Sequence, residues 1–156
     1  MRMAIGSDSV CNLTREISRF LEQKGIELSY CGALAAKEAD YVDAATEVAE
    51  AVSSGACEQG LLFCNTGTGA SIVANKFPGV RAALCVDSFA ARIARLANNA
   101  NVVVLSMRLT GEPLAKEIVD TWLEFAPSTE PRRVNFHRKT DAIDERLRRL
   151  PAEERC

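Results

Sequence analysis

Short apolar runs alternate with longer amphipathic segments along the chain. Five runs have the length and composition of buried strands, and they span residues 3–5, 26–30, 61–63, 80–84 and 102–105. The segments between them repeat apolar residues at helical spacing, as shown by Leu13, Ile17, Phe20 and Leu21, by Ala45, Val48, Ala49 and Val52, and by Phe89, Ile93 and Leu96. This alternation predicts an α/β fold in which helices cover both faces of a parallel sheet.

The polarity of the strands predicts how they are arranged. Residues 26–30 form the run that is clearly half polar, which favours an edge position for the second strand. Five strands favour a Rossmann-like, three-layer α/β/α fold with the strand order 2-1-3-4-5. In such a fold, ligands bind at the carboxyl ends of the strands where the winding reverses, so we expect the chemistry in the loops after the strands.

Two further helices are predicted after the fifth strand, over residues 112–125 and 140–150. Residues 126–131 contain two prolines between polar residues and predict a connection. We therefore divide the chain into a core, residues 1–125, and a C-terminal arm, residues 126–156, which belongs to the same domain. The end of the arm, residues 144–150, is highly charged, and this favours either packing on the partner subunit of a dimer or fraying in solvent.

Composition and charge narrow the class of partner. The chain has 156 residues, of which 47% are hydrophobic and 26% charged, and this balance predicts one ordinary globular domain. Its formal net charge is −2 and its arginine-rich stretch is interleaved with acids, which argues against a nucleic-acid partner or a membrane surface. There is no apolar run of about 18 residues and no signal-peptide pattern, so we expect a cytoplasmic protein.

The cysteines and the histidine do not form a disulfide or metal-binding pattern. The chain has six cysteines and one histidine, and they are Cys11, Cys31, Cys57, Cys64, Cys85, Cys156 and His137. The cysteines lack C-x-x-C spacing, and a single histidine is too little to complete a zinc site. We therefore expect no disulfide framework and no metal, with most of the thiols as small buried side chains.

Cys64 ends the third predicted strand and begins a glycine-bearing turn. The turn, residues 64–71, opens a predicted helix, and its glycines let backbone N–H groups form a concave anion site. Positive potential at the start of that helix would favour the thiolate form of Cys64. Aldose–ketose isomerisation needs a base that moves a proton between C1 and C2 and a group that stabilises the enediolate, and this turn can supply both. A buried structural thiol beside a tight turn is the alternative.

Polar residues near other strands are further candidates. Asp8 and Ser9 follow the first strand, where Asp8 can handle the hydroxyl protons of a sugar or cap the following helix. Asn98 lies among asparagines that are typical of a turn, and it becomes a ligand only if that loop points into the site. Arg108 follows the fifth strand, and its guanidinium suits either a phosphate or a surface ion pair.

Five short motifs, taken together, resemble a known enzyme family. They are Gly6-Ser7-Asp8, Cys64-x-Thr66-Gly67-x-Gly69, Ala74-Asn75-Lys76-x-Pro78-Gly79-x-Arg81-Ala82-Ala83, Asn98-x-Ala100-Asn101 and Arg108-x-x-Gly111. Their order and spacing over about residues 1–125 resemble the ribose-5-phosphate isomerase type B and galactose-6-phosphate isomerase family. The resemblance implies a Rossmann-like homodimer, or a tetramer built as a dimer of dimers, with active sites at the subunit interface and no cofactor.

The same resemblance implies roles for individual residues. Cys64 is expected to be the proton-transferring base, with Thr66 and Asp8 as its catalytic partners. The expected substrate-binding residues are Ser9, Tyr41, Asn65, Gly67, Thr68, Gly69, Ala70, Asn98, Arg108, Arg133 and Lys139. Among them, the backbone of residues 65–70 would stabilise the enediolate, and Asn98 and Arg108 would reach in from the neighbouring subunit.

Departures from the family bear on the substrate. Ser9 and Ala97 stand where the family has histidines, the second of which is thought to open the sugar ring, and Asn65 replaces a glycine. The C4 oxygen of a tetrose 4-phosphate is esterified, so this sugar cannot close the usual five-membered ring. We therefore expect isomerisation of erythrose 4-phosphate and erythrulose 4-phosphate. The alternatives are ribose 5-phosphate isomerisation, a non-catalytic sugar-phosphate-binding dimer, and a flavodoxin-like binder of nucleotide or flavin.

Overall fold

The computed structural model describes residues 1–149 and confirms the α/β class. One sheet is formed by β1 (Arg2–Ser7), β2 (Glu27–Gly32), β3 (Gln59–Cys64), β4 (Ala82–Leu84) and β5 (Val102–Ser106). The helices are α1 (Asn12–Gln23), α2 (Tyr41–Ser53), α3 (Thr68–Ala74), α4 (Ser88–Asn98), α5 (Glu112–Glu124) and α6 (Pro131–Arg149), and a 3-10 helix (Ala33–Ala35) follows β2. All neighbouring strands are parallel, as the apolar runs predict.

The order of the last two strands differs from the prediction. The sheet has the order β2-β1-β3-β5-β4, so the predicted order 2-1-3-4-5 is wrong in the placement of β4 and β5. Burial explains the exchange, because all five residues of β5 are buried, whereas β4 has three residues and its Leu84 is 36% exposed. A short, partly exposed strand suits an edge. The half-polar β2 occupies the other edge, as predicted.

Helices cover both faces of the sheet and give the three predicted layers. One core lies against α1, α4 and α5 and contains Trp122, the largest fully buried side chain. The indole Nε1 of Trp122 donates a 2.6 Å hydrogen bond to Oε1 of Gln59. The other core lies under α2 and α3 and consists mainly of alanine and valine, so these two helices sit close to the sheet.

Arg95 is buried in α4, whereas Phe89, one of the apolar residues that indicate this helix, is 66% exposed. The guanidinium of Arg95 lies 5.1 Å from the centre of the Trp122 ring and donates to the carbonyl oxygens of Ala100 and Phe125. Its planar N–H groups thus have acceptors, which makes the burial tolerable and fixes the end of α4 relative to β5.

Two glycines let α2 approach the sheet closely. Gly6 of β1 and Gly60 of β3 lie beneath Val48 of α2, and a Cβ added at either glycine would lie 2.7 Å from a methyl carbon of Val48. Asp40 caps the start of α2 by accepting two backbone N–H hydrogen bonds of 2.7 and 3.0 Å. The close approach and the cap together set the position of Tyr41, the first residue of α2.

The C-terminal helix begins earlier than predicted. The predicted helix over residues 140–150 is wrong at its start, because α6 begins at Pro131. Proline at the first position of a helix has the required φ and loses no hydrogen bond, so the second proline of the connection starts the helix instead of breaking it. The charged residues 144–149 continue α6, while Leu150 and Cys156 lie outside the described residues.

Polar contacts hold α6 against the core of its own chain. Asp144 accepts from the backbone N–H of Gly79 at 2.9 Å, and Asp141 pairs with Arg81 at 2.8 Å. Apolar side chains of α6 remain exposed, and they are Val134, Phe136, Ile143 and Leu147. Packing of the arm on a partner subunit stays a prediction.

We expect Gly6→Ala to destabilise the fold, because the new methyl group would meet Val48 at 2.7 Å and the carbonyl oxygen of Ala44 at 3.1 Å. Overpacking of this kind lowers the free energy of unfolding by about 1–3 kcal/mol. Urea unfolding followed by circular dichroism measures the loss. In a Val48→Ala background the substitution should cost less, since the valine methyls are gone. Equal costs in both backgrounds would show that Val48 is not the obstacle.

Candidate active site

The carboxyl ends of β1, β3 and β5 lie side by side, and we call this side of the sheet its carboxyl edge. The amino ends of the strands form the opposite edge, the amino edge. Ser7 of β1 is paired with Phe63 of β3, and Cys64 of β3 is paired with Ser106 of β5. The chain leaves β1 toward β2 and leaves β3 toward β4, so its winding reverses between β1 and β3. In sheets of this kind ligands bind in a crevice at such a reversal, and Asp8 and Cys64 lie where β1 and β3 end beside it.

The turn after Cys64 is fixed to the end of β5 by three hydrogen bonds. The carbonyl oxygen of Cys64 accepts from the backbone N–H of Met107 at 2.9 Å. The carbonyl oxygen of Asn65 accepts from the N–H of Arg108 at 3.0 Å and from the hydroxyl of Ser106 at 2.8 Å. The side chain of Asn65 is exposed, whereas Cys64 is only 6% exposed. The turn therefore has a fixed backbone and a nearly buried thiol.

Gly67 is required where this turn meets α3. Its φ is +81°, in the left-handed region that favours glycine, and a Cβ there would collide with the side chain of Leu84. The exposed Thr66 accepts from the N–H of Thr68 at 3.4 Å, and Ala70 is buried in the first turn of α3. The first N–H groups of a helix have no helical acceptor, so donors are left at the start of α3, and their binding of an anion stays a prediction.

Tyr41 lies against the start of α3. A Cβ added at Gly69 would lie 2.7 Å from Cε2 of the Tyr41 ring, so the ring reaches this position only because residue 69 is glycine. The side chain of Tyr41 is 42% exposed. The structure thus brings together two residues that the sequence places far apart.

Asp8 does not cap α1, so the helix cap predicted as one alternative for this residue is wrong. The residue before α1 is Cys11, and its backbone N–H donates to Oγ1 of Thr14 at 3.0 Å. The half-buried Asp8 accepts from the hydroxyl of the exposed Ser9 at 3.2 Å. A carboxylate is therefore present at the end of β1.

Met107 is a residue of this edge that the sequence prediction missed. Its sulfur lies 3.9 Å from the hydroxyl oxygens of Ser7 and Ser9 and 3.8 Å from the sulfur of Cys11. These contacts close the space between the β1–α1 loop and the end of β5. Its position directly after a buried strand was the available signal, because such positions lie at the same edge as Cys64.

Asn98, Arg133 and Lys139 are not brought to Cys64 within one chain. Asn98 ends α4 and precedes β5, so it lies toward the amino ends of the strands, at the opposite edge of the sheet. It lines a cleft of about 710 Å³ beside α6, and Arg133 lines the same cleft. Lys139 is an exposed residue of α6, and Arg108 lies beside Asn65. The predicted site residues therefore form two groups, one at each edge of the sheet.

Three other cysteines are poor candidates for proton transfer. Burial raises the pKa of Cys31 to about 11, with a further contribution from Glu47. Burial likewise raises the pKa of Cys85 to about 12, with Asp87 adding to the effect, and it raises the pKa of Cys57. These thiols stay protonated near neutral pH.

The described residues contain neither a metal-ligand grouping nor a membrane-spanning helix. Among residues 1–149, no three His, Cys, Asp or Glu side chains are grouped so that they could hold a metal ion. None of the helices formed by the described part of the chain is long and apolar enough to cross a membrane.

The chain is similar to sugar-phosphate isomerases along most of its length. The profile of the family described as Ribose/Galactose Isomerase matches residues 3–141. D-erythrulose-4-phosphate isomerase of Pectobacterium atrosepticum is 41% identical over 126 residues, which are 80% of this chain and 83% of that protein. A 4-deoxy-4-sulfo-D-erythrose isomerase of a Clostridium species is 36% identical over 157 aligned residues, covering 96% of this chain and 99% of that protein.

A solved structure shares the whole architecture. Ribose-5-phosphate isomerase B of Clostridium thermocellum superposes with a TM-score of 0.85 at 43% identity, covering 94% of this chain and 99% of that one. At this coverage the likeness extends from the core into the arm.

We expect iodoacetamide at pH 8 to leave Cys31 and Cys85 unmodified in the folded protein. Their pKa values of about 11 and about 12 leave almost no thiolate at that pH, and both side chains are buried. Peptide mapping by mass spectrometry after a timed reaction reads each site separately. Cys11 is more exposed and should react as the control. Rapid labelling of Cys31 or Cys85 before urea is added would contradict their burial.

Proposed function

Since the chain belongs to the ribose/galactose isomerase family and is an aldose–ketose isomerase of sugar phosphates, we propose that it interconverts erythrose 4-phosphate and erythrulose 4-phosphate. The observation that carries the proposed chemistry is the nearly buried thiol of Cys64 at the start of a turn rich in N–H donors. A base and an anion site at adjacent positions suit proton transfer through an enediolate.

Cys64 moves the proton in this mechanism. Its thiolate removes the proton from C2 of the aldose, and the electrons form the C1–C2 double bond of a cis-enediolate. The same sulfur then returns the proton to C1, which gives the ketose. The N–H groups of residues 65–70 hold the negative oxygen while it exists.

Polar side chains around the crevice handle the hydroxyl groups. The reaction also needs a proton to move from O2 to O1, and Thr66 in the turn with Asp8 at the end of β1 are the groups we assign to it. Ser9 and Tyr41 bound the pocket on the sides of α1 and α2. Arg108, whose backbone is bonded to Asn65, supplies a cation to the crevice of its own chain, and not to that of the neighbouring subunit as the resemblance implies.

Two positions favour a four-carbon sugar. Neither Ser9 nor Ala97 carries an imidazole, and a tetrose 4-phosphate needs none for ring opening because its C4 oxygen is esterified. Two relatives support this choice, since their names give D-erythrulose 4-phosphate and 4-deoxy-4-sulfo-D-erythrose as substrates. Ribose 5-phosphate is the second candidate, because the solved structure that resembles nearly the whole chain is a ribose-5-phosphate isomerase.

The complete site, in our proposal, is shared between two copies of the chain. Asn98 and Arg133 lie at the edge of the sheet opposite Cys64, so they contact a substrate bound at Cys64 only from a second copy. A two-fold dimer makes this contact twice and forms two equal sites. The guanidinium of Arg133 suits bidentate binding of the phosphate, and Lys139 adds positive charge on the same helix.

Cys64→Ala should abolish isomerisation and leave substrate binding intact. Loss of a general base lowers kcat by about 10²–10⁴-fold, and the rest of the pocket is unchanged. Incubation with erythrose 4-phosphate in D₂O, followed by NMR, should show deuterium at C2 of the sugar with the wild type and none with the variant. Cys64→Ser, which is similar in size but does not ionise near neutral pH, should fall equally. Cys11→Ser is the matched control and should remain active.

The same assay decides between the sugars. kcat/KM is measured on erythrose 4-phosphate, ribose 5-phosphate and 4-deoxy-4-sulfo-erythrose. A higher value on ribose 5-phosphate would refute the tetrose assignment. A fully active Cys64→Ala would refute the mechanism for every sugar.

Mixing two variants tests the shared site. Cys64→Ala and Arg133→Ala should each be nearly inactive alone. After subunit exchange, a heterodimer has one site in which both residues are intact, so random pairing should restore about a quarter of the wild-type activity. If the two residues act within one chain, no heterodimer has an intact site and the mixture stays inactive. Analytical ultracentrifugation of each sample verifies the dimer.

A further inference from the structure

The cleft between α4 and α6 is basic and lacks an acceptor for one of its arginines. Among the described residues, its lining contains one acid, Glu130. The four basic residues of the lining are Arg81, Arg132, Arg133 and His137. Its volume of about 710 Å³ is typical of a small-molecule site. Nε of Arg133 lies 3.5 Å from Glu130, but Nη1 is buried and has no hydrogen-bond partner within residues 1–149. A buried N–H group without an acceptor is costly, so the site favours an anion.

His137 is held in one orientation in this cleft. Its Nε2 lies 2.8 Å from the carbonyl oxygen of Ala97. A carbonyl oxygen can only accept, so Nε2 carries the hydrogen and the lone pair of the neutral ring is on Nδ1. No second hydrogen bond to the ring is formed by any of the described residues. The ring is therefore anchored through one nitrogen, and the other can take up a proton.

The contacts of His137 connect it with the sugar site. Ala97, whose carbonyl holds the ring, directly precedes Asn98, and Asn98 lines the same cleft. Arg133 lies four residues before His137 on α6, so the two side chains share one face of the helix. The proposed function assigns both Asn98 and Arg133 to a substrate bound at Cys64 of the second subunit. The imidazole accompanies them there.

We infer that His137 opens the furanose ring of a pentose 5-phosphate, which extends the substrates of this enzyme from tetrose phosphates to ring-forming aldose phosphates. The inference rests on the proposed function, because the sugar must lie at Cys64 of the second subunit. Position 97 has no imidazole, but the fold brings the chain's single histidine to the carbonyl of Ala97. The imidazole that residue 97 does not carry thus comes from His137 of α6.

The ring-opening step balances without a co-reactant. Nδ1 of His137 accepts the proton of the C1 hydroxyl, and the bond between C1 and the ring oxygen breaks. The electron pair of that bond stays on the ring oxygen, which takes the proton back from the imidazolium, while C1 becomes the aldehyde carbonyl. Imidazole suits this exchange because a ring nitrogen can accept a proton from one oxygen and donate it to another. Cys64 then acts on the open-chain aldose.

His137→Gln removes the proton-exchanging group but keeps a donor for the hydrogen bond between α6 and the carbonyl oxygen of Ala97. The side-chain amide of glutamine can still donate to the carbonyl of Ala97, but it cannot exchange protons. We expect kcat/KM on ribose 5-phosphate to fall by about 10²-fold or more, the usual contribution of a general acid–base group. We expect kcat/KM on erythrose 4-phosphate to stay within about twofold of the wild type, because this sugar has no furanose ring to open.

His137→Ala with added imidazole provides a second readout. Imidazole in solution should restore part of the turnover of ribose 5-phosphate and leave that of erythrose 4-phosphate unchanged, an effect that a purely structural histidine would not produce. Equal loss on both sugars, or no loss on either, overturns the inference, as does a wild type that isomerises erythrose 4-phosphate but not ribose 5-phosphate. Absence of turnover on both sugars overturns the proposed function instead, so the two failures are distinguishable.

Discussion

The chemistry that we propose depends on how the backbone after β3 is bonded to the end of β5. The carbonyl oxygens of Cys64 and Asn65 both accept hydrogen bonds from residues 106–108. Because a trans peptide directs its C=O and N–H to opposite sides, the N–H groups of Asn65 and Thr66 point away from β5. The acceptors of the turn are thus satisfied and its donors are left for an anion, which is the arrangement an enediolate needs.

A second constraint is the distance between α2 and the sheet. Gly6 and Gly60 leave room for Val48, and that close approach carries Tyr41 to its place against Gly69. Three glycines on three different elements thus determine where Tyr41 lies, and with it one wall of the proposed pocket. A methyl group at any of them would move the helix or the ring, so small side chains here define the shape of the site as much as the polar ones define its chemistry.

The predicted ligands of a sugar phosphate lie at opposite edges of one sheet. The group at the amino edge lies beside α6, so the position of the arm decides where these residues are. α6 is bonded to its own core through Asp141, Asp144 and His137, while its apolar side chains remain exposed. The basic cleft under α6 is therefore fixed to the core of its own chain. In a dimer, such a cleft can deliver cations and an imidazole to the crevice of its neighbour without any rearrangement of its own chain.

The sequence by itself determined the strands, the helices of the core and the position of Cys64, because these follow from local patterns: apolar runs, helical spacing and a glycine turn after a buried strand. Tertiary structure alone decided the order of β4 and β5, since strand pairing depends on which strand is buried after the helices have packed. It also decided the contacts of Met107 with the β1–α1 loop and of His137 with Ala97, which join residues about 100 and 40 positions apart in the chain. No local pattern encodes such contacts, because they exist only once the sheet has brought distant loops to a common edge and α6 has docked on α4.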